Sequence, residues 1–294
     1  MTKSAVGSLS GRRLALSPSR ASDFRQCPLL YRLRAIDRIP QPPTLAMVRG
    51  TLVHAALEEL LALPAESRTL DAAAELIAPS WQRVSGEMPE DHRLDLDEHG
   101  LSQLFEQSKT LLAMYFALED PARVTPSACE LRVEVDLEPD VPLRGFVDRV
   151  DELADGELRV VDYKTGRAPG GPYEAKALFQ MKFYALALWK LRGVVPQELR
   201  LMYLGSGDTL TYEPDPGELD RFSRTLVAIW RAIQTAGRTG DFRPNPGPLC
   251  KWCEHQSRCP AFGNTPPEYP GWPDEDSDTG LVSELLAESE LLER

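Results

Sequence analysis

The sequence predicts an α/β (α+β) fold in which helices come first, a meander of strands follows, and a long helix leads into further strands. Three features predict it. Residues 18–119 carry mostly helical patterns, residues 130–164 hold three short strand-like runs, and an apolar segment of helical length at 174–192 separates these from two more strands. The composition, 42% hydrophobic and 27% charged, is that of an ordinary globular chain, and 294 residues suffice for a substantial core.

The elements follow in order. Residues 18–35 (PSRASDFRQCPLLYRLRA) read as a basic helix with Ser19 or Ser22 as N-cap. A second helix covers roughly 48–63, and 69–119 is mostly helical with interruptions near Pro89 and Gly100. Strands are expected at 130–138, 143–152 and 157–164, then a helix at 174–192, strands near 198–204 and 208–213, and a helix at 216–236. A Pro-rich loop and a cysteine cluster close a domain expected to span 1–263, with the helical segment about 66–126 inside it. Residues 264–294 read as an acidic, flexible tail in which 281–293 has the pattern of an amphipathic helix.

No stretch approaches the roughly 18 uncharged apolar residues of a membrane span. The N-terminus, MTKSAVGSLSGRRLALS, lacks the apolar segment of a secretory leader, so a cytoplasmic location without membrane contact is expected. The net charge of -12 argues at first against a nucleic-acid partner, but its distribution reverses that. Residues 1–49 hold nine basic residues against two acidic, whereas the chain from Gly263 holds nine acidic against one basic.

The chemistry concentrates in Val160–Gly166, VVDYKTG. Residues i and i+2 of a strand share a face, so Asp162 and Lys164 stand side by side while Val161, Tyr163 and Thr165 point the other way. Ala154-Asp155-Gly156 marks a tight hairpin. Pairing symmetric about Asp155 sets Asp151 opposite Arg159, Val150 opposite Val160, and Asp148 opposite Asp162. Two carboxylates then stand with their β-carbons about 5 Å apart, which destabilises a sheet unless something offsets it. A hard divalent cation such as Mg²⁺ or Mn²⁺ does so. Lys164 is placed to orient or deprotonate a water there, or to stabilise charge on a phosphate. A solvated cross-strand charge cluster is the competing reading. Gly145, three residues before Asp148, leaves room for another backbone or a ligand. Gln180 and Tyr184 share a helix face, and R-G-T-L-V-H sets His54 in an apolar helix with Glu58 on its face.

R-G-T-L-V-H, G-F-V-D-R-V-D, V-V-D-Y-K-T-G and Q-M-K-F-Y, in that order, resemble the RecB-like branch of the PD-(D/E)xK nuclease superfamily. The resemblance implies a restriction-endonuclease-like mixed central sheet flanked by helices, and a metal-dependent deoxyribonuclease. Position by position it implies His54, Asp148 and Asp162 as metal ligands, Lys164 as a catalytic group, and Gln180 and Tyr184 as residues that contact DNA or support the site. A glutamate ahead of the second motif is also implied, with Glu130 and Glu134 both open. Glu58 is the candidate partner of His54. A nitrogen ligand beside carboxylates leans the site modestly toward Mn²⁺.

The five cysteines are Cys27, Cys129, Cys250, Cys253 and Cys259. An odd count in a reducing compartment makes a disulfide framework a poor fit. Cys250, Cys253 and Cys259 need a fourth ligand for zinc or an iron–sulfur cluster; Cys27, Cys129 and, for zinc, His255 are candidates. The run F-R-Q-C-P-L-L-Y with the C-terminal trio resembles the iron–sulfur subset of RecB-like nucleases, including AddB nuclease domains and CRISPR adaptation nucleases. This implies a [4Fe–4S] cluster on Cys27, Cys250, Cys253 and Cys259, with structural zinc as the alternative, stapling the first helix to the far end of the chain. Cys129 reads as a small buried hydrophobe.

The family likeness further implies exonuclease action on single-stranded DNA ends in repair or recombination. No G-x-x-x-x-G-K-[ST] loop is present, so a helicase would be a separate partner. Arg25, Arg32, Arg34 and Arg49 are candidates to line the path of the strand, with Tyr31 to stack a base. Two readings of other classes stay open: a catalytically inactive DNA-binding module, and an iron–sulfur redox sensor housed in a nuclease fold.

Overall fold

The computed structural model describes residues 14–41, 43–88, 93–153, 156–168, 170 and 174–272; the hairpin tip at Ala154 and Asp155 and the segment 281–293 lie outside them. One five-stranded sheet has the order β1–β2–β3–β4–β5: β1 (Pro126–Asp136), β2 (Pro142–Glu152), β3 (Leu158–Lys164), β4 (Glu198–Tyr203) and β5 (Asp208–Tyr212). β3 and β4 run parallel, and the other neighbours antiparallel. A parallel neighbour needs a crossover, which α6 (Glu174–Arg192) supplies.

Each face of the sheet has its own core. On one side α6, α7 (Pro216–Thr239), α1 (Pro18–Gln26) and α2 (Pro28–Tyr31) pack on Val147, Leu158 and Val160. On the other, α3 (Leu45–Ala62), α4 (Leu70–Glu87) and α5 (Glu98–Leu118) pack on Val161 and Tyr163. Strand alternation thus assigns successive residues of β3 to opposite cores.

The helix expected over 18–35 is divided. A proline disfavours helical backbone in the residue before it, and Cys27 is accordingly extended at φ -161°, ψ 111° between α1 and α2. The N-cap is Ser17, whose hydroxyl accepts from the Arg20 N–H, rather than Ser19 or Ser22. The ordered fold also runs past residue 263. The Tyr269 hydroxyl donates to Gly237 O at 2.7 Å, and the Trp272 ring occupies the place a Cβ at Gly237 would need.

The sheet forks at its centre. β2 and β3 pair in the expected register, Val150↔Val160 and Asp151↔Arg159, but the ladder stops at Arg149↔Val161, one pair short of Asp148 and Asp162. Beyond that point Leu16 takes the vacated edge of β2: its N–H donates to Pro142 O at 2.8 Å and its O accepts from Arg144 N–H at 2.9 Å. On the other edge, β1 pairs with β2 at Cys129↔Arg149 and Leu131↔Val147. Between those pairs Glu130 adopts the left-handed region at φ 44°, which is strained for a residue with a side chain. Val147 and Val150 enter the same core although regular alternation would separate them. Asp148 sits at this irregularity.

Candidate metal and nuclease site

Four elements meet at the fork. His54 projects from α3, and its Nε2 lies 3.1 Å from the Tyr163 carbonyl oxygen. Nε2–H therefore donates, which leaves Nδ1 facing Glu130 at 3.8 Å and Asp148 at 3.7 Å. Asp148 Oδ2 accepts from the Tyr163 N–H at 2.7 Å. One residue of β3 thus fixes both groups, its carbonyl orienting the imidazole and its N–H the carboxylate. Among the described residues, His54, Glu130 and Asp148 form a group whose potential ligand atoms all lie within 4.8 Å of one another.

Asp162 stands beside this trio rather than in it, because the strands part before the Asp148–Asp162 position. It is 1% exposed, with Oδ2 2.7 Å from Lys164 Nζ. Its Oδ1 is buried without a hydrogen-bond partner among the described residues. Burial pushes the Asp162 pKa up to about 6; Lys164 opposes the shift and Asp148 adds to it. Asp148 is raised as well, by burial first, with His54 pulling down and Glu130 pushing up. Counting His54 as the neutral ligand it would be on a metal ion, the fork sets three carboxylates against the ammonium of Lys164 among the described residues. That surplus of two negative charges, the nitrogen-plus-oxygen donor set and an orphaned buried oxygen fit Mg²⁺ or Mn²⁺.

The structure separates several sequence candidates. Glu134 lies on an exposed stretch of β1 and pairs with Arg132 and Arg144, so Glu130 is the glutamate at the site. Nothing in the sequence marks the left-handed backbone that aims it. Glu58 pairs with Arg83 at 3.3 Å, and the Tyr163 carbonyl takes its expected place behind His54. Gln180 Nε2 donates to the Tyr184 hydroxyl at 3.2 Å. The Tyr184 ring fills the space left open at Gly145, where a Cβ would come within 2.9 Å of it.

The expected strand path changes most. Tyr31 is 0% exposed between Phe24 and Phe242, so it offers no face to a base. Arg32 is buried, bonded to Asp37 and the Pro267 carbonyl, and stacked on Tyr269; it holds the fold together. Arg34 pairs with Asp23 at 3.0 Å. Arg25 is exposed with its guanidinium over Phe179, and Arg49 donates to Gln107 at 2.8 Å.

Cys27, Cys250, Cys253 and Cys259 line one cavity of about 210 Å³ where the α1–α2 junction meets the segment 244–262. The Asn245 N–H points to Cys27 Sγ at 3.4 Å and the Gly247 N–H to Cys250 Sγ at 3.2 Å. Among the described residues, no three of these sulfurs lie within 4.8 Å of one another. Cys129 lies in β1, apart from the cavity lining, and burial pushes its thiol up to about 11.

A forked mixed sheet that gathers carboxylates, a histidine and a lysine at its centre is the architecture of a metal-dependent nuclease. Residues 15–260 match the PD-(D/E)XK nuclease superfamily, and the chain belongs to it. Members of this family are phosphodiester hydrolases that act on nucleic acid with divalent metal ions. The chain is similar to the Gene 69 proteins of two mycobacterial phages. It is 28% identical to that of phage D29 over 271 residues, and 25% identical to that of phage L5 over 287 residues. Each match covers 84% of this chain and 96% of the relative. A crystal structure from Eubacterium rectale, of a protein named as a candidate exonuclease, shares the fold with a TM-score of 0.53 at 12% identity. That match covers 82% of this chain and 88% of the other. No described helix is long and apolar enough to cross a membrane.

Proposed function

We propose that the protein is a Mg²⁺- or Mn²⁺-dependent DNA exonuclease acting on single-stranded ends in repair or recombination, in the cytoplasm and beside a separate helicase, and that its cysteine cavity holds a [4Fe–4S] cluster. The observation that carries the nuclease reading is the surplus of two negative charges at the fork, beside a lysine whose ammonium lies 2.7 Å from a buried carboxylate. A divalent ion held by His54 Nδ1, Glu130 and Asp148, with Asp162 alongside, supplies Lewis acidity and lowers the pKa of water. The protein groups do the rest. Tyr163 keeps His54 in the tautomer that presents Nδ1. Lys164 holds its protons toward the attacking water and the charge developing on the phosphate. Gln180 and Tyr184 form the α6 wall of the site. Exonuclease action and single-strand preference rest on the resemblance of the ordered motifs to RecB-like nucleases.

The cluster reading is supported by four thiols on one cavity and peptide N–H groups aimed at two of the sulfurs. There the cluster would act as a staple.

The test digests 5′- and 3′-end-labelled single strands with Mn²⁺, comparing the parent with Asp162→Asn. A parent with its cysteine site loaded that cuts no linear DNA overturns the nuclease reading. Protein purified without oxygen should be brown, with iron and sulfide bound; colourless protein loaded with zinc overturns the cluster assignment.

A further inference from the structure

Two strands that part must be held at a fixed opening if groups on both are to share one ion. Such a constellation works only while its groups stay within about 0.5 Å of their places. The backbone ladder between β2 and β3 ends at Arg149↔Val161. Beyond it, two side-chain hydrogen bonds cross from β2 to β3, and both end on Tyr163. Asp148 Oδ2 accepts from the Tyr163 N–H at 2.7 Å. Arg149 Nη1 donates to the Tyr163 hydroxyl at 2.6 Å, with the guanidinium 5.6 Å from the centre of the ring. Successive residues of β2 thus grip Tyr163 at its backbone and at the far end of its side chain.

Arg149 is itself held. Its guanidinium donates to Glu119, where α5 ends, at 2.7 and 3.0 Å, and to Asp151 at 3.1 Å. The Tyr163 hydroxyl therefore sits where α5 and β2 place it. Tyr163 in turn meets His54 twice. Its carbonyl accepts from Nε2–H at 3.1 Å, and its ring stands at 90° to the imidazole with the centroids 5.9 Å apart. Tyr163 is 3% exposed and close-packed in the core of α3, α4 and α5, so it cannot shift without moving its neighbours. Any displacement of its side chain passes to His54 and, through the N–H, to Asp148. Those are the two groups whose ligand atoms stand 3.7 Å apart.

We infer that Arg149 and Tyr163 are positioning residues of the metal site: the guanidinium clamps the phenol across the fork and so sets the spacing of His54 and Asp148 without touching the ion. The inference rests on the metal-site reading above and goes beyond it, giving a buried arginine a part in metal binding as well as in stability.

Tyr163→Phe tests the clamp, because it removes one oxygen and keeps the ring, its packing and both backbone bonds. Arg200→Met is the companion: it takes a charge from the same ion cluster, where its described partners are Glu119 and Glu198. Each folded variant is read in three ways. The ¹⁵N–¹H spectrum of the His54 ring is recorded in metal-free protein and assigned with His54→Gln. Calorimetry gives the Mn²⁺ Kd, and a labelled oligodeoxythymidylate gives kcat and KM. Tyr163→Phe should shift the His54 resonances, weaken Mn²⁺ binding about tenfold and lower kcat, with KM within about threefold of the parent. Arg200→Met should lose stability in urea, leave the His54 resonances in place and keep the Mn²⁺ Kd within about twofold. Should Tyr163→Phe fail to fold, Arg149→Lys, which keeps the buried charge and gives up the guanidinium fork, is read in its place. Unmoved His54 resonances with an unchanged Mn²⁺ Kd in the folded clamp variant overturn the inference. So does an Arg200→Met that weakens Mn²⁺ binding equally, since the effect would then belong to the stability of the whole cluster. A parent that cuts no DNA in Mn²⁺ fails the nuclease reading instead, and the metal-free His54 spectrum still decides the clamp.

Discussion

Asp148 and Arg149 are neighbours on β2, yet they serve charged clusters of opposite design. Arg149 is 0% exposed and reaches Glu119 at 2.7 Å, Asp151 at 2.9 Å and the Tyr163 hydroxyl at 2.6 Å. Arg159 adds a contact to Asp151 at 2.8 Å, and Arg200 reaches Glu119 at 3.3 Å and Glu198 at 2.7 Å. Three arginines thus face three carboxylates, and the cluster is neutral within itself. One residue away, among the described residues, Glu130, Asp148 and Asp162 gather around the Lys164 ammonium and the His54 ring. The first cluster is complete as protein and ties β2 and β3 to α5. The second has the donor set and the charge that a divalent cation would complete. Burial is common to both, so the uncancelled charge is what separates a site from a strut.

That contrast can be broken or sharpened by experiment. The largest effect is expected from Asp162→Asn, which should lower cleavage by about 10³-fold or more while the protein stays folded; cleavage rate and circular dichroism measure it. Arg149→Met should act first on the fold, losing about 3–5 kcal/mol of stability because two buried carboxylates each lose their fully buried partner. A urea titration that shows less than about 1 kcal/mol would put the two clusters in one class.

The third effect depends on pH. In a chelator, the Asp162 pKa of about 6 in the folded chain lies above its ordinary value of 3.8. The protonated form is thus favoured by folding. Its contribution is fully present below pH 3.8 and is lost as pH rises through about 6. The full span is about 3 kcal/mol. Melting temperature should therefore carry a component that rises from pH 7 to pH 5, absent from Asp162→Asn and flattened by Mn²⁺. The smallest effect separates the two glutamates. Glu130→Gln should weaken Mn²⁺ binding by about 10- to 100-fold in calorimetry, and Glu134→Gln should leave it unchanged.

Local patterns in the sequence were enough to place β2, β3 and the register between them, because alternation and the Asp-Gly turn act over a few residues. They also set Asp162 and Lys164 on one face. The point where that hairpin unzips depends instead on Leu16, which inserts from the other end of the chain and leaves no mark near Asp148. The choice of Glu130 over Glu134 depends on one left-handed residue in a strand, which propensity does not foretell. Tyr31 and Arg32 read as an exposed basic helix because Phe242 and Tyr269, which cover them, lie more than 200 positions away.

Those distant covers have a consequence for the order of events during synthesis. Cys27 meets Asn245 across 218 positions, Gln41 meets His255 across 214, and Arg32 meets Pro267 across 235. Closing such loops adds little entropy per added residue, but contacts of this span slow folding. A ribosome delivers α1 and α2 first and their partners almost last. The early helices therefore wait, without their final neighbours, until residues 245–267 have emerged. The packing of α1 and α2 is thus finished only after residues 242–269 are available.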